Sequence, residues 1–117
     1  MIARHWRGWT KLHDADPYES LLKQKVLPEL KKLEGYRGGY VLRNDCPREV
    51  EFVVVNLFDS LDAVKRFAGD NHTTAVFEPE ATRLLSRIEP RATHYDVRAN
   101  TVAVETLKPS SFKDTDL

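Results

Sequence analysis

The sequence predicts an α+β domain in which two helices cover one face of a four-stranded antiparallel sheet. Three observations carry this. Short stretches rich in β-branched and aromatic residues occur four times along the chain. Two stretches with apolar residues at helical spacing lie among them. The resulting order, β-α-β-β-α-β, is the ferredoxin-like arrangement. With 117 residues, one domain is the default, long enough to bury a core without disulfides or metal.

Residues 2–12 read as the first strand, with two alternating sets, Ile2, Arg4, Trp6, Gly8, Thr10 and Ala3, His5, Arg7, Trp9. Both sets mix polar and apolar groups, so alternation alone does not choose the buried face. Asp16-Pro17 predicts a helix start, with Asp16 as cap and Pro17 at the first helical position. Leu21, Leu22, Val26, Leu30 and Leu33 form its apolar face, Pro28 should kink or restart it, and Gly35 should end it. Tyr36–Arg43 reads as a strand in which Gly38-Gly39 predicts a bulge or a close approach. After a polar turn, Glu51–Phe58 forms the third strand, apolar on both faces and therefore expected to be covered on both.

Ser60 is the expected cap of a second helix whose inner face is Leu61, Val64, Phe67 and Ala68, stopped by Gly69-Asp70-Asn71. Pro79 is expected to open a short helix through Arg87 with Leu84, Leu85 and Ile88 inward, and Pro90 to close it. Ala92–Ala99 reads as the fourth strand. The domain is placed at residues 1–100. Residues 101–117 are expected to be a C-terminal extension, partly mobile, with a short extra strand at Val102 and Val104.

Charge narrows the function classes. The chain has 18 basic and 18 acidic residues. Residues 1–58 carry 10 and 8 of these, and residues 59–117 carry 8 and 10. Neither half has the positive excess that nucleic acid or an anionic membrane surface demands. Cys46 is the only cysteine, so no internal disulfide forms, which fits a reducing compartment. No leader-like apolar segment and no run near the ~20 residues of a membrane helix is visible, and a cytoplasmic location is expected. A third strand apolar on both faces also predicts a homodimer, two sheets paired face to face about a two-fold axis.

Several motifs carry a resemblance. Ile2-Ala3-Arg4-His5-Trp6-Arg7-Gly8, Leu33-Glu34-Gly35-Tyr36-Arg37-Gly38 and Asn56-Leu57-Phe58-Asp59-Ser60-Leu61-Asp62-Ala63 resemble the antibiotic-biosynthesis-monooxygenase family. Phe67-Ala68-Gly69, Phe77-Glu78-Pro79-Glu80 and His94-Tyr95-Asp96-Val97 extend the likeness over roughly residues 2–98. These motifs specify fold far more than reaction. The resemblance implies a dimeric α+β barrel, and either oxygenation of small aromatic or quinol-like substrates without metal or flavin, or oxidative heme degradation. Heme-degrading members use an asparagine on the first strand, a tryptophan in the second helix and an axial histidine just beyond it. The corresponding places here are Trp6, Phe67 and approximately Phe77, so heme binding is not expected.

No metal constellation and no glycine-rich nucleotide loop is present. Oxygenation without a cofactor needs an apolar cavity, a group that takes a phenolic proton, and a dipole for the developing oxyanion. Trp6, Tyr40, Phe58 and Phe67 are the expected cavity lining, with His72 nearby. His94 or His72 is the expected base and Asn56, a polar residue on an apolar strand face, the expected dipole. No cofactor is expected, and the expected ligand is a small aromatic molecule. The alternative is a non-catalytic binder or structural dimer on the same scaffold.

Overall fold

A computed structural model describes residues 1–101. Strand β1 (Ile2–Thr10) leads through a 3-10 turn (Leu12–Asp14) into α1 (Ala15–Leu21), a π turn (Leu22–Val26) and α2 (Leu27–Lys31). Strands β2 (Tyr36–Asp45) and β3 (Val50–Phe58), helices α3 (Leu61–Ala68) and α4 (Ala81–Leu84), and strands β4 (Leu85–Ile88) and β5 (Thr93–Asp96) follow. The sheet is antiparallel with order β2-β3-β1-β4, and β5 also pairs with β1. The predicted α+β class and ferredoxin-like order are what the chain adopts.

The fourth strand position is divided. β4 pairs with the Gly8–Thr10 end of β1, and β5 with the Ile2–His5 end. Pro90, which has no N–H to give to a ladder, lies between them, and the Glu89 N–H still bonds the Arg7 carbonyl at 2.9 Å. The helix expected through Arg87 therefore stops at Leu84. Leu85–Ile88 is strand because the free edge of β1 offers backbone partners that one more helical turn would leave unmatched.

The first helical segment also starts earlier than expected, at Ala15, so Pro17 lies inside its first turn and Asp16 does not cap it. Pro28 acts one turn upstream. Lacking an N–H, it cannot serve the carbonyl four residues back, and the backbone widens to a π turn in which the Leu27 N–H reaches the Leu22 carbonyl. Ser60 caps α3 as predicted, accepting the Ala63 N–H at 3.2 Å. Leu61 departs from its expected inward position and is exposed, while Ala63 and Val64 are fully buried.

Burial alternates strictly along β3. Val50, Phe52, Val54, Asn56 and Phe58 face the helices, and Glu51, Val53, Val55 and Leu57 face the other way. The helix-side residues build the core, Phe52 with Tyr18, Leu21 and Leu22, and Phe58 with Leu30, Ala63 and Val64. Of the two expected covers of β3, only the helix-side one is present within one chain. The outer face keeps Tyr40, Leu42 and Tyr95 exposed, with Val53, Val55 and Leu57 half-buried between them. The expectations for residues 102–117 lie outside the described residues. Among those described, no helix is long and apolar enough to cross a membrane.

Candidate ligand site between sheet and helices

One row of residues crosses the sheet on its helix side. Arg4 on β1 is paired with His94 on β5 and with Asn56 on β3, and Asn56 with Gly39 on β2. Directly opposed residues share a face, and their side chains are within reach of each other. The bulge that sets this row on β2 is visible in the register, at Tyr36/Gly39 with Gly38 at φ +100°. The expected irregularity at Gly38-Gly39 is thus present. Its effect is to bring Gly39 against Asn56, where a side chain has no room.

Arg4 is the centre of the row and is nearly fully buried. Its Nη1 donates to the His72 carbonyl and to His94 Nε2 (3.1 Å), and its Nη2 donates to the Thr74 carbonyl (3.0 Å). The guanidinium also lies over the Phe67 ring, 5.4 Å from its centroid. All these partners are neutral, and among the described residues no carboxylate pairs with Arg4. Burial pushes its pKa down to about 10, so it stays a cation at neutral pH. Because a guanidinium only donates, His94 Nε2 must accept, which leaves the His94 proton on Nδ1. Burial first, then the charge of Arg4 and then that of His72, holds the His94 pKa below its ordinary value. The two imidazoles stack edge to face at 5.2 Å.

A cavity of about 60 Å³ opens beside this row, between the sheet and the helical layer. That is room for several waters or one small ring. Trp6, Val54, Tyr18, Leu21, Phe67 and Phe77 make most of its apolar wall. Arg4, Asn56 and Glu78 are the lining residues with strongly polar side chains. The outer edge of the Trp6 ring fills the space that the missing Gly8 side chain leaves, and the ring meets Phe77 edge to face at 5.5 Å. Its indole N–H donates to the Glu89 carbonyl at 2.6 Å. The Tyr36 hydroxyl donates to Asn56 Oδ1 at 2.9 Å, which leaves the amide nitrogen as the group Asn56 offers to the cavity.

The structure brings some of the predicted site residues together and separates others. Trp6, Phe67 and Asn56 line the cavity. Trp6 and His94 do point to the same face of the sheet, but His94 and His72 stand behind Arg4 and are not among the lining residues. Phe58 is fully buried in the core beside Phe67, their rings stacked at 6.1 Å, and does not reach the cavity. Tyr40 pairs with Val55 and lies exposed on the outer face. Sequence reasoning missed Arg4 and Glu78. The available signal for Arg4 was its place in one alternating set with Ile2, Trp6 and Gly8; for Glu78 there was none beyond adjacency to Phe77. Among the described residues, no group of three or more metal-ligating side chains stands together.

Comparison with solved structures places this architecture. No family model and no curated protein matches the chain. A candidate antibiotic biosynthesis monooxygenase from Bacillus cereus superposes with a TM-score of 0.62 at 17% identity, over 88% of this chain and 96% of that one. The heme-degrader MhuD from Mycobacterium tuberculosis, with two hemes bound in its active site, superposes with a TM-score of 0.58 at 16% identity, over 87% and 100%. The chain has the fold of these proteins, the fold that its motifs resemble.

Heme does not fit the cavity found here. No histidine, cysteine or methionine is among its described lining residues, and its volume is far below that of a porphyrin.

Proposed function

We propose that the cavity binds a small phenolic or quinol-type aromatic molecule and oxidises it with molecular oxygen. The observation that supports this reading is the combination of aromatic walls from Trp6, Phe67 and Phe77 with two hydrogen-bond donors, Arg4 and Asn56, on one side. The walls exclude water and hold a ring. The donors favour the phenolate over the phenol, and a phenolate gives up an electron to oxygen more readily. Glu78, the carboxylate of the lining, would accept the phenolic proton. His94 acts through Arg4 as a positioning residue, because its Nε2 lone pair is already engaged by the guanidinium.

The balance closes without another reductant. A phenol with a free para C–H loses that hydrogen and its O–H hydrogen. The para carbon gains one oxygen atom, the second oxygen leaves as water, and the ring becomes a quinone. The substrate supplies all four electrons.

The experiment is oxygen uptake with phenol and with 2,6-dimethylphenol, in the presence of a metal chelator. Isotopic dioxygen should place one labelled oxygen in the product. Saturable binding of both compounds with no oxygen uptake would leave the alternative, a non-catalytic binder on the same scaffold.

A second copy of the chain is the proposed partner. It would cover the outer sheet face around Tyr40, Leu42, Val55 and Leu57. The charged groups at the other end of that face are already matched within the chain. Arg7 pairs with Glu51 and Glu89, and Arg87 with Glu49, on either side of Trp9. What stays open is apolar apart from His5, which faces Val55, and a largely apolar self-complementary face suits a two-fold contact.

A further inference from the structure

We infer that Arg4 and Asn56 together form an oxyanion seat, so that the cavity selects aromatic ligands carrying a single negative oxygen group, a phenolate or an arene carboxylate. This rests on the reading of the cavity as a ligand site and names the charge of what enters it.

The first argument is charge. A buried cation is tolerated when it is hydrogen-bonded and its charge is compensated. Arg4 has the hydrogen bonds, to the carbonyls of His72 and Thr74 and to His94, and a cation–π contact with the Phe67 ring. It lacks the compensation: Glu78 lines the same cavity but makes no ion pair with it, and the arginines that do form ion pairs among the described residues are Arg7, Arg37, Arg43 and Arg87. An anion in the cavity supplies the missing charge.

The second argument is direction. Arg4 and Asn56 are register partners on neighbouring strands and both line the same cavity. Asn56 has its acceptor occupied by the Tyr36 hydroxyl, and that oxygen packs against Gly39. What remains is N–H on both residues. Two donors at adjacent positions match one oxygen or one carboxylate edge, and hydrogen bonds to an ionised acceptor are the strong ones. The ring of such a ligand then rests against Trp6 and Phe67. Phenolates and carboxylates share this chemistry, and the experiment separates them.

Binding is read from Trp fluorescence and calorimetry with three probes, 4-nitrophenolate, 4-nitrobenzoate and 4-nitroanisole, the last an uncharged analogue of the first. The native protein should bind at least one anionic probe about tenfold or more tighter than the anisole. Preference for 4-nitrophenolate would identify a phenolate seat, and preference for 4-nitrobenzoate a carboxylate seat. Arg4→Met should bring both anions to the affinity of the anisole, and Arg4→Lys should restore part of the gap. Asn56→Leu should narrow it as well, with the circular dichroism spectrum unchanged. Equal affinity of the native protein for all three probes would overturn the oxyanion seat while leaving the cavity a ligand site. No binding of any probe would overturn both. The comparison in the native protein needs no variant, so it stands even if Arg4→Met fails to fold.

Discussion

Gly39 stands directly opposite Asn56 across β2 and β3, and a Cβ on Gly39 would lie 2.5 Å from Asn56 Oδ1. The same Cβ would strike the Val55 backbone carbonyl, which has nowhere to move. The glycine is therefore the reason that the Asn56 amide can sit flat on the sheet with its oxygen toward Tyr36. Gly39→Ala should cost about 1–3 kcal/mol, the usual penalty of overpacking. It should also weaken 4-nitrophenolate binding by displacing Asn56. Urea denaturation and the fluorescence titration check the two effects. A variant with native stability and native affinity would show that this close approach is not needed.

Acid should destabilise the fold through His94. Burial, Arg4 and His72 keep the folded-state pKa of His94 below the ordinary 6.5. Between those two values the unfolded chain binds a proton that the folded chain does not. The contribution is therefore complete above the unfolded value and is lost as pH falls through the folded one. Urea midpoints should drop between neutral pH and about pH 5, the range in which histidines titrate. His94→Gln keeps an acceptor for Arg4 but has no proton to gain, so its midpoint should fall less. An equal drop in both proteins would assign the acid effect elsewhere.

The outer sheet face should hold two chains together. Light scattering at micromolar concentration should give a dimer, with an interface near or above the ~1,600 Å² of a standard specific contact. Leu57→Lys places a charge among Tyr40, Val55 and Leu42 without touching the helix-side core, and should yield a folded monomer. A native protein that is monodisperse as a monomer would remove the second copy from the proposal.

Hemin should not bind tightly. The cavity offers no histidine, cysteine or methionine as axial ligand among its described residues, and its aromatic walls leave space only for a single small ring. Titration followed at the Soret band should show weak, non-saturating changes. A sharp stoichiometric spectrum that disappears in His72→Ala would require the loop around His72 to open, and would contradict the packing that Arg4 imposes on it.

By itself the sequence determined the order of the elements, the cap at Ser60, the bulge at Gly38-Gly39 and the apolar face of β3. These rest on local chemistry: side-chain period, a hydroxyl at a helix start, a glycine where the backbone turns. Asn56 was legible for the same reason, a polar residue in an otherwise apolar alternating set. Arg4, Tyr40 and β4 were not. β1 mixes charged and apolar groups on both faces, so burial of Arg4 depends on carbonyls of residues 72 and 74, some seventy positions away. Tyr40 was placed in the cavity by its aromatic character, whereas its face is set by the bulge that shifts the β2 register. Leu85–Ile88 carries apolar residues that suit a helix or a strand, and only the unpaired edge of β1 decides between them. In each case the deciding interaction is a long-range backbone pairing or a buried charge seeking partners, and neither leaves a mark in the neighbouring residues. Tertiary structure alone therefore moved the polar centre of the site from His94, where the residue type suggested it, to Arg4, where the register put it.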